Sequence, residues 1–339
     1  MADVARLAEV SVPTVSRVLS GTVRVSPDKR ARVEAAIAEI GFHRSGAARA
    51  LASGTSEVIA VVTGKTSTYG YAEAIRGVEE EARAAGYSVM ITVAESGSES
   101  DARQAVAMAL NQSIAGVVVL KFDAAGVAVL KHVPPGLPVV ALAGARQRDV
   151  VQAVLEEARA GEELTNYLLE LGHGTVHHVR VPASRREDGR TTGWRRALRN
   201  AGAPVPPMRE ATWDPHTGRP IGRELAHCPD VTAVFCGNDE IAMGVIRGLE
   251  DEGARVPEDV SVVGFDDHPL AELWSPPLTT VNQDFARLGR RGFTLLMSQI
   301  EGTATTKYSS ERAEVIIRAS AAPPAGGRGS ARRDRGRER

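Results

Sequence analysis

The sequence predicts a small all-α head of helix-turn-helix type, joined by a hinge to an α/β body of two Rossmann-like lobes. Three observations predict it. Residues 1–41 carry apolar side chains at helical spacing in three short segments. Residues 42–57 turn to Ala, Ser, Gly and Arg, the composition of a linker. From Val58 to about residue 320, β-rich apolar runs alternate with helical segments in two successive series. That alternation implies parallel sheets covered on both faces.

In the head, Asp3 to Ala8 gives the first helix, with Val4 and Leu7 on one face, and Glu9 and Val10 make a tight turn. Ser11 stands at an N-cap, where its hydroxyl can accept from the first amides of the next helix. That helix carries Val15, Val18 and Leu19 inward and leaves Val12, Pro13, Thr14, Ser16 and Arg17 on the exposed side. Hydroxyls, a guanidinium and small apolar groups on a short helix suit entry into a major groove. Ser26-Pro27 opens a third helix with Val33, Ala36, Ile37 and Ile40 as its core face, ended by Gly41.

In the body, Val58–Val62 reads as a buried strand, Ala72–Ala85 as an amphipathic helix, and Tyr87–Val93 as a strand. Helix Ser100–Gln112 and strands Ala115–Leu120 and Pro138–Leu142 complete the first series. The second runs helix Glu156–Leu171, strand Thr175–Val181, helix Thr192–Ala201, helix Gly218–Ala226 and strand Ala233–Cys236. Helix Glu240–Asp251 and strand Val260–Phe265 close it. Ligands of such sheets sit beyond the strand C-termini, so paired lobes place a ligand in the cleft between them. No GxGxxG follows the first strand, where the chain reads Thr63-Gly-Lys-Thr-Ser-Thr-Tyr-Gly70, which argues against a dinucleotide site.

Charge is unevenly spread over the 339 residues: +3 in 1–55, −8 in 56–320 and +4 in 321–339. A basic head on an acidic body suits a protein that presents its head to a polyanion. Cys228 and Cys236 have neither CxxC spacing nor a His/Cys cluster nearby, so no metal site is expected. Two lone thiols suit a reducing cytoplasm, and no apolar run reaches the ~20 residues of a membrane span. Neither GxSxG nor HExxH occurs, and adjacent carboxylates such as Asp266-Asp267 point apart after a strand, so no catalytic arrangement and no cofactor are expected. The tail, 321–339, reads as disordered and basic, without the leucine heptads that would make a tetramer.

Asp3-Val-Ala, Val12-Pro-Thr-Val-Ser-Arg-Val-Leu19, Val25-Ser-Pro and Ala47-Ala-Arg-Ala-Leu-Ala52 resemble the DNA-binding head and hinge of the lac repressor/galactose repressor family. The likeness continues to about residue 320. It implies a periplasmic-binding-protein-like body crossed three times by the chain, with lobe one at 58–151 plus 284–303 and lobe two at 152–283 plus 304–320. It assigns Ser11, Val12, Pro13, Thr14, Ser16 and Arg17 to DNA, with Val12, Pro13 and Arg17 nearest the bases and Thr14 and Ser16 on phosphates. In the hinge it assigns Ala48 and Leu51, the leucine wedging into the minor groove.

The same resemblance assigns five residues to the effector. Arg190, three before Gly193, offers a planar fork to paired hydroxyls or a carboxylate. Asn238 and Asp266 follow strands, Trp213 would pack on the apolar face of a sugar, and Tyr69 lies after the first strand. At Asn238 an N-cap role competes, although Asp239 is the expected cap, and Asp267 is expected to cap its loop. The set suits a neutral polyol better than a purine or an amino acid. Two pocket-side positions depart from the family, which usually has a polar residue where Ala143 stands and Asp-Asn where Glu157-Ala158 stands. The hinge departs too: Gly46 inside its helix costs about 1 kcal/mol relative to Ala.

These readings predict a sequence-specific regulator, a repressor that binds a near-palindromic double-stranded operator as a homodimer and responds to a small carbohydrate-like effector. Ligand in the cleft would close the lobes and part the hinge helices. A corepressor would use the same parts with the opposite sign, and the competing class is a sugar-binding protein without a DNA role.

Overall fold

The computed structural model describes residues 1–21, 23–42, 56–182 and 188–325. The chain divides into two compact units, Met1–Glu57 and Val58–Arg339. Residues 43–55, with Ala48 and Leu51, and residues 326–339 of the tail lie outside the described residues.

The first unit holds α1 (Ala2–Leu7), α2 (Val12–Ser20) and α3 (Pro27–Ile40). Val4, Ala5, Ala8, Val15, Val18, Val33 and Ala36 form its core. Leu7, expected beside Val4, is instead 44% exposed, as is Ile40. The buried face of α1 runs through Val4 and Ala8, four apart, so a side chain three along stands to one side of it. Glu9 turns the chain at φ 51°, and Gly21 and Gly41, both at φ 65°, end α2 and α3. Ser11 precedes α2, but its hydroxyl pairs with Thr14 Oγ1 at 2.9 Å and makes no cap bond to a backbone amide. A neighbouring hydroxyl has outcompeted the helix amides for it.

The second unit has two lobes. Six parallel strands form the first sheet: β1 (Val58–Thr63), β2 (Ser88–Val93), β3 (Gly116–Lys121), β4 (Val139–Ala143), β5 (Gln152–Leu155) and β11 (Tyr308–Glu311). Their order is β11-β5-β4-β3-β1-β2. Helices α4 (Tyr69–Ala84), α5 (Glu99–Leu110), α6 (Ala124–Leu130) and α12 (Phe285–Ile300) cover it. Ile59 and Val61 of β1 enter one core while Ala60 and Val62 enter the other, which is why this strand reads as a continuous apolar run.

The second sheet is β6 (His177–Arg180), β7 (Arg209–Glu210), β8 (Ala233–Cys236) and β9 (Ser261–Val263), ordered β7-β6-β8-β9 and also parallel. An antiparallel pair, β10 (Thr280–Asn282) and β12 (Glu314–Ile316), joins it through bridges at Thr279 and Asn282. Its helices are α7 (Glu157–Glu170), α8 (Gly189–Asn200), α9 (Gly218–Ala226), α10 (Asp239–Asp251) and α11 (Leu270–Leu273). Helices α7 and α8 touch backbone to backbone at Gly193, where a Cβ would collide with the Ala158 carbonyl oxygen. Beside it Trp194 is fully buried and donates from Nε1 to Val176 O at 2.8 Å.

The lobe boundaries inferred from the resemblance need one correction. Residues 152–155 and 308–311, assigned to lobe two, are β5 and β11 of the first sheet, paired with each other from Tyr308–Gln152 to Glu311–Leu155. The chain therefore crosses between lobes after Leu155, after Asn282 and after Glu311. Strands of four residues, one of them starting at a glutamine and the other polar throughout, carry too little pattern to be seen locally. Pairing with β4 is what makes β5 a strand. The same shortness hid α6, which follows β3 after an Asp123 cap.

Candidate functional site

On the head, α2 exposes Ser11, Val12, Pro13 and Arg17, with Thr14 and Ser16 half-buried beside them. Val12 is 43% exposed, an apolar side chain partly open to solvent. The six head residues assigned to DNA by resemblance thus share one surface around the start of the helix, while Val15 and Val18 anchor its other side.

In the body, a cavity opens between the lobes at the C-terminal ends of the strands. Lobe one lines it with Thr68, Gly70, Tyr71, Lys121, Phe122 and Phe285. Lobe two supplies Glu157, Asp188, Arg190, Trp213 and Asp266. Three of the five expected effector residues, Arg190, Trp213 and Asp266, therefore meet here.

Arg190, in the first turn of α8, is 6% exposed. Its Nε and Nη2 donate to Glu157 Oε1 at 3.3 and 3.0 Å, and Nη2 lies 3.1 Å from Asp266 Oδ1. Nη1 donates to the Gly237 carbonyl, and the guanidinium sits 4.5 Å over the Phe265 ring. Burial alone would lower its pKa, but Asp266 and Glu157 outweigh this and hold it charged. Burial pushes the Asp266 carboxyl up to about 7 against the pull of Arg190 and of Gln283, whose Nε2 donates to Oδ1 at 2.8 Å. Glu157 is likewise pushed up by burial. It packs so closely on Gly144 of lobe one that a Cβ there would collide with its carboxylate. Asp266 adopts φ 110°, a conformation that aspartate rarely takes, so its backbone is strained where its carboxyl meets the cavity.

The aromatic side is built around Tyr71. It is 2% exposed, donates from its hydroxyl to Asp123 Oδ2 at 2.8 Å, and meets Phe122 and Trp213 edge to face at 5.1 and 6.0 Å. Burial, with Asp123 beside it, pushes the Tyr71 phenol up.

Two expected residues stand elsewhere. Tyr69 does not line the cavity: its ring packs on His268 at 4.7 Å and Phe285 at 6.2 Å, and burial with nearby acids pushes its phenol up to about 12. One helical turn separates the ends of a four-residue segment, so Tyr71, two positions later, points where Tyr69 does not. Asn238 is the N-cap of α10, accepting from Ile241 N at 2.9 Å and donating to Glu240 Oε2 at 3.0 Å. The capping expected of Asp239 is thus made by its neighbour. Asp239 instead accepts from His268 N and from Thr280 Oγ1. Asp267, expected to cap its loop, accepts from the side chains of Asn282 (Nδ2) and Arg318 (Nη2), both at 2.8 Å.

The sequence reading missed Tyr71, Lys121, Phe122, Asp188 and Phe285 as cavity residues. Asp188 carried a signal: two before Arg190, it caps α8 by accepting from Thr191 N at 2.7 Å. Among the described residues no group of three or more His, Cys, Asp or Glu could hold a metal ion, and no helix is long and apolar enough to cross a membrane.

Comparison with known proteins agrees with this architecture. Residues 1–45 match the family model for bacterial regulatory proteins of the lacI family, and residues 165–321 match that of the periplasmic binding protein-like domain. The HTH-type transcriptional repressor PurR of Pasteurella multocida is 30% identical over 94% of this chain and 97% of its own. PurR of Erwinia tasmaniensis is 32% identical over 88% and 89%. Among solved structures, the lac repressor dimer bound to operator and the anti-inducer ONPF superposes with a TM-score of 0.87 at 27% identity, covering 94% of this chain and 98% of that one. The transcriptional regulator CelR in complex with cellobiose gives 0.69 at 28% identity, with the same coverage. The chain belongs to the lacI family of bacterial regulatory proteins, as a DNA-binding transcriptional regulator with an effector-binding body.

Proposed function

We propose that this regulator is a repressor that binds a near-palindromic operator as a homodimer and is released from it by a carbohydrate-like effector held between the lobes. One observation carries the effector class. Carboxylates (Glu157, Asp188, Asp266) and aromatic rings (Tyr71, Phe122, Trp213) line one cavity together. Sugar hydroxyls donate well to carboxylates, and the apolar face of a pyranose packs on a ring. The cellobiose complex of the similar CelR supports the same reading.

On the DNA side, Val12, Pro13 and Arg17 read base edges, Thr14 and Ser16 set register on phosphates, and Ser11 lies beside them at the start of the helix. Ala48 and Leu51 of the hinge contact the minor groove. Two heads are needed for affinity, which asks for a two-fold dimer. The body leaves Ile91 and Val93 on edge strand β2, Met108 on α5, and Leu270 and Leu273 on α11 exposed, and a second copy would bury them. The similar lac repressor dimer supports this stoichiometry.

The test is fluorescence anisotropy with DNA from upstream of the gene against a shuffled duplex at one near-physiological salt concentration, since phosphate contacts alone imitate affinity. A preference of about 10³-fold or more, lost on adding a neutral sugar, is expected. Equal binding of the two duplexes, or binding strengthened by the sugar, refutes the corresponding half of the reading.

A further inference from the structure

We propose that the cleft accepts only non-anionic effectors, neutral or ammonium-bearing polyols, and that Glu157 is the residue that sets this rule. The inference rests on the reading that the cleft holds the effector, and it deepens that reading.

An arginine lining a pocket ordinarily invites a carboxylate or phosphate, because its fork matches two acidic oxygens. Arg190 is not available for this. Its Nε–Nη2 edge is occupied by Glu157 Oε1, Nη2 is shared with Asp266 Oδ1, and Nη1 is bound to the Gly237 carbonyl. The Phe265 ring covers one face. An incoming anion would have to displace Glu157 or Asp266, and each is buried. The displaced carboxylate would be left without its cation, and breaking a buried ion pair in this way is strongly unfavourable.

The second cation of the lining, Lys121, is 2% exposed and donates from Nζ to Gln147 Oε1 at 2.9 Å. Acids outnumber bases in the lining, with Glu157, Asp188 and Asp266 against Lys121 and Arg190. Asp123 lies directly behind, under the Tyr71 hydroxyl. Burial already pushes the Asp266 and Glu157 carboxyls up, so the site holds its present negative charge with difficulty. A further anion would add to that charge in a weakly screened environment. Hydroxyl and ammonium donors, in contrast, meet carboxylate oxygens that are already oriented.

Glu157 is the residue on which the rule turns, because it occupies the edge of Arg190 that an anion would need. Glu157→Gln keeps the shape and one acceptor oxygen but removes the charge, leaving Asp188 and Asp266 against Lys121 and Arg190 in the lining and only a neutral amide on the Nε–Nη2 edge of Arg190.

The experiment is calorimetric titration of the full chain with matched series at fixed ionic strength. The probes are glucose, galactose and cellobiose as neutral members, glucosamine and galactosamine as cationic members, and glucuronate, galacturonate and glucose 6-phosphate as anionic members. Each binding probe is repeated on Trp213→Ala, which alters the cavity wall without touching its charges. The expected result is that neutral or cationic members bind, that Trp213→Ala weakens them about 10-fold or more, and that the anionic partner of each binder is at least about 100-fold weaker. Glu157→Gln should narrow that gap to about 10-fold or less.

An anionic member that binds wild-type protein as tightly as its neutral partner, and is weakened by Trp213→Ala, overturns the charge rule while leaving the cleft as the effector site. Binding that Trp213→Ala does not alter places the ligand elsewhere and overturns the cleft reading itself. Silence across the whole panel refutes the polyol class, and the rule with it. An undiminished gap in a folded Glu157→Gln removes Glu157 from the role. Should that variant not fold, the ratio of anionic to neutral affinity in wild-type protein still decides the rule.

Discussion

Tyr71 of lobe one and Trp213 of lobe two meet edge to face across the cleft, their ring centroids 6.0 Å apart and their planes at 90°. Tyr71 is held from behind by its hydroxyl, which donates to Asp123 Oδ2 at 2.8 Å, and Asp123 in turn caps α6 by accepting from Gly126 N at 3.0 Å. The aromatic wall of the cavity is thus fixed by a strand-end carboxylate that never enters it.

Removing that hydroxyl should therefore cost stability without changing the wall's shape. Tyr71→Phe leaves Asp123 Oδ2 without its phenol donor, and hydrogen bonds to a charged acceptor contribute about 1.5–3 kcal/mol. Chemical denaturation should show the body destabilised by about that amount, with the melting of the head unchanged. A neutral result would mean that water replaces the phenol.

Asn238 separates a structural role from a ligand contact. Its Oδ1 caps α10, so Asn238→Ala should destabilise the body by about 1 kcal/mol, up to about 2 for a cap this buried. Effector affinity measured on the folded variant should stay within about 2-fold. A loss of affinity 10-fold or greater, with stability preserved, would return Asn238 to the effector.

Asp266 makes a pH prediction. Its carboxyl titrates near 7 in the folded chain against an ordinary 3.8. Between these values the folded state keeps a proton that the unfolded chain has released, so this residue's contribution to stability falls as pH rises and levels off above about 7. Urea unfolding at pH 5 and pH 8 should show wild-type protein losing on the order of 3 kcal/mol more than Asp266→Asn over that span, at about 1.4 kcal/mol per pH unit up to about pH 7. Parallel behaviour of the two proteins would mean that Arg190 keeps Asp266 ionised throughout. Comparing the pair cancels His178, whose buried ring is pushed down to about 4 and whose effect has the opposite sign.

The head offers a contrast between two positions on one helix. Arg17 is exposed, so Arg17→Ala should weaken operator binding about 10-fold or more and leave head melting unchanged. Val15 is fully buried, so Val15→Ala should destabilise the head by about 2 kcal/mol while leaving the body's unfolding transition where it was. In the hinge, Leu51→Ala should weaken operator binding and leave effector binding intact. Anisotropy and calorimetry on the same preparations distinguish the three, and an equal loss of both activities in Leu51→Ala would exclude the minor-groove role.

Local pattern alone carries the head and the alternating body. Apolar spacing at Val15 and Val18, the left-handed glycines at 21 and 41, and the continuous apolar strand at Val58–Val62 all act within a few residues of themselves, so these elements are legible in the order of the amino acids. Arg190, Trp213 and Asp266 can be placed by motif for the same reason. Partners distant in the chain settle the rest. Strand Gln152–Leu155 forms against β4, and Tyr308–Glu311 forms against Gln152–Leu155 from more than half of the body's length away, which no local pattern encodes. Tyr71 rather than Tyr69 faces the cavity because helix α4 begins at Tyr69 and fixes the direction of each side chain by its turn. The state of Arg190 is the largest of these tertiary effects. A guanidinium read alone offers its fork to any anion, and only the folding of Glu157 and Asp266 against it, from segments 33 and 76 residues away, fills that fork with the protein's own charge.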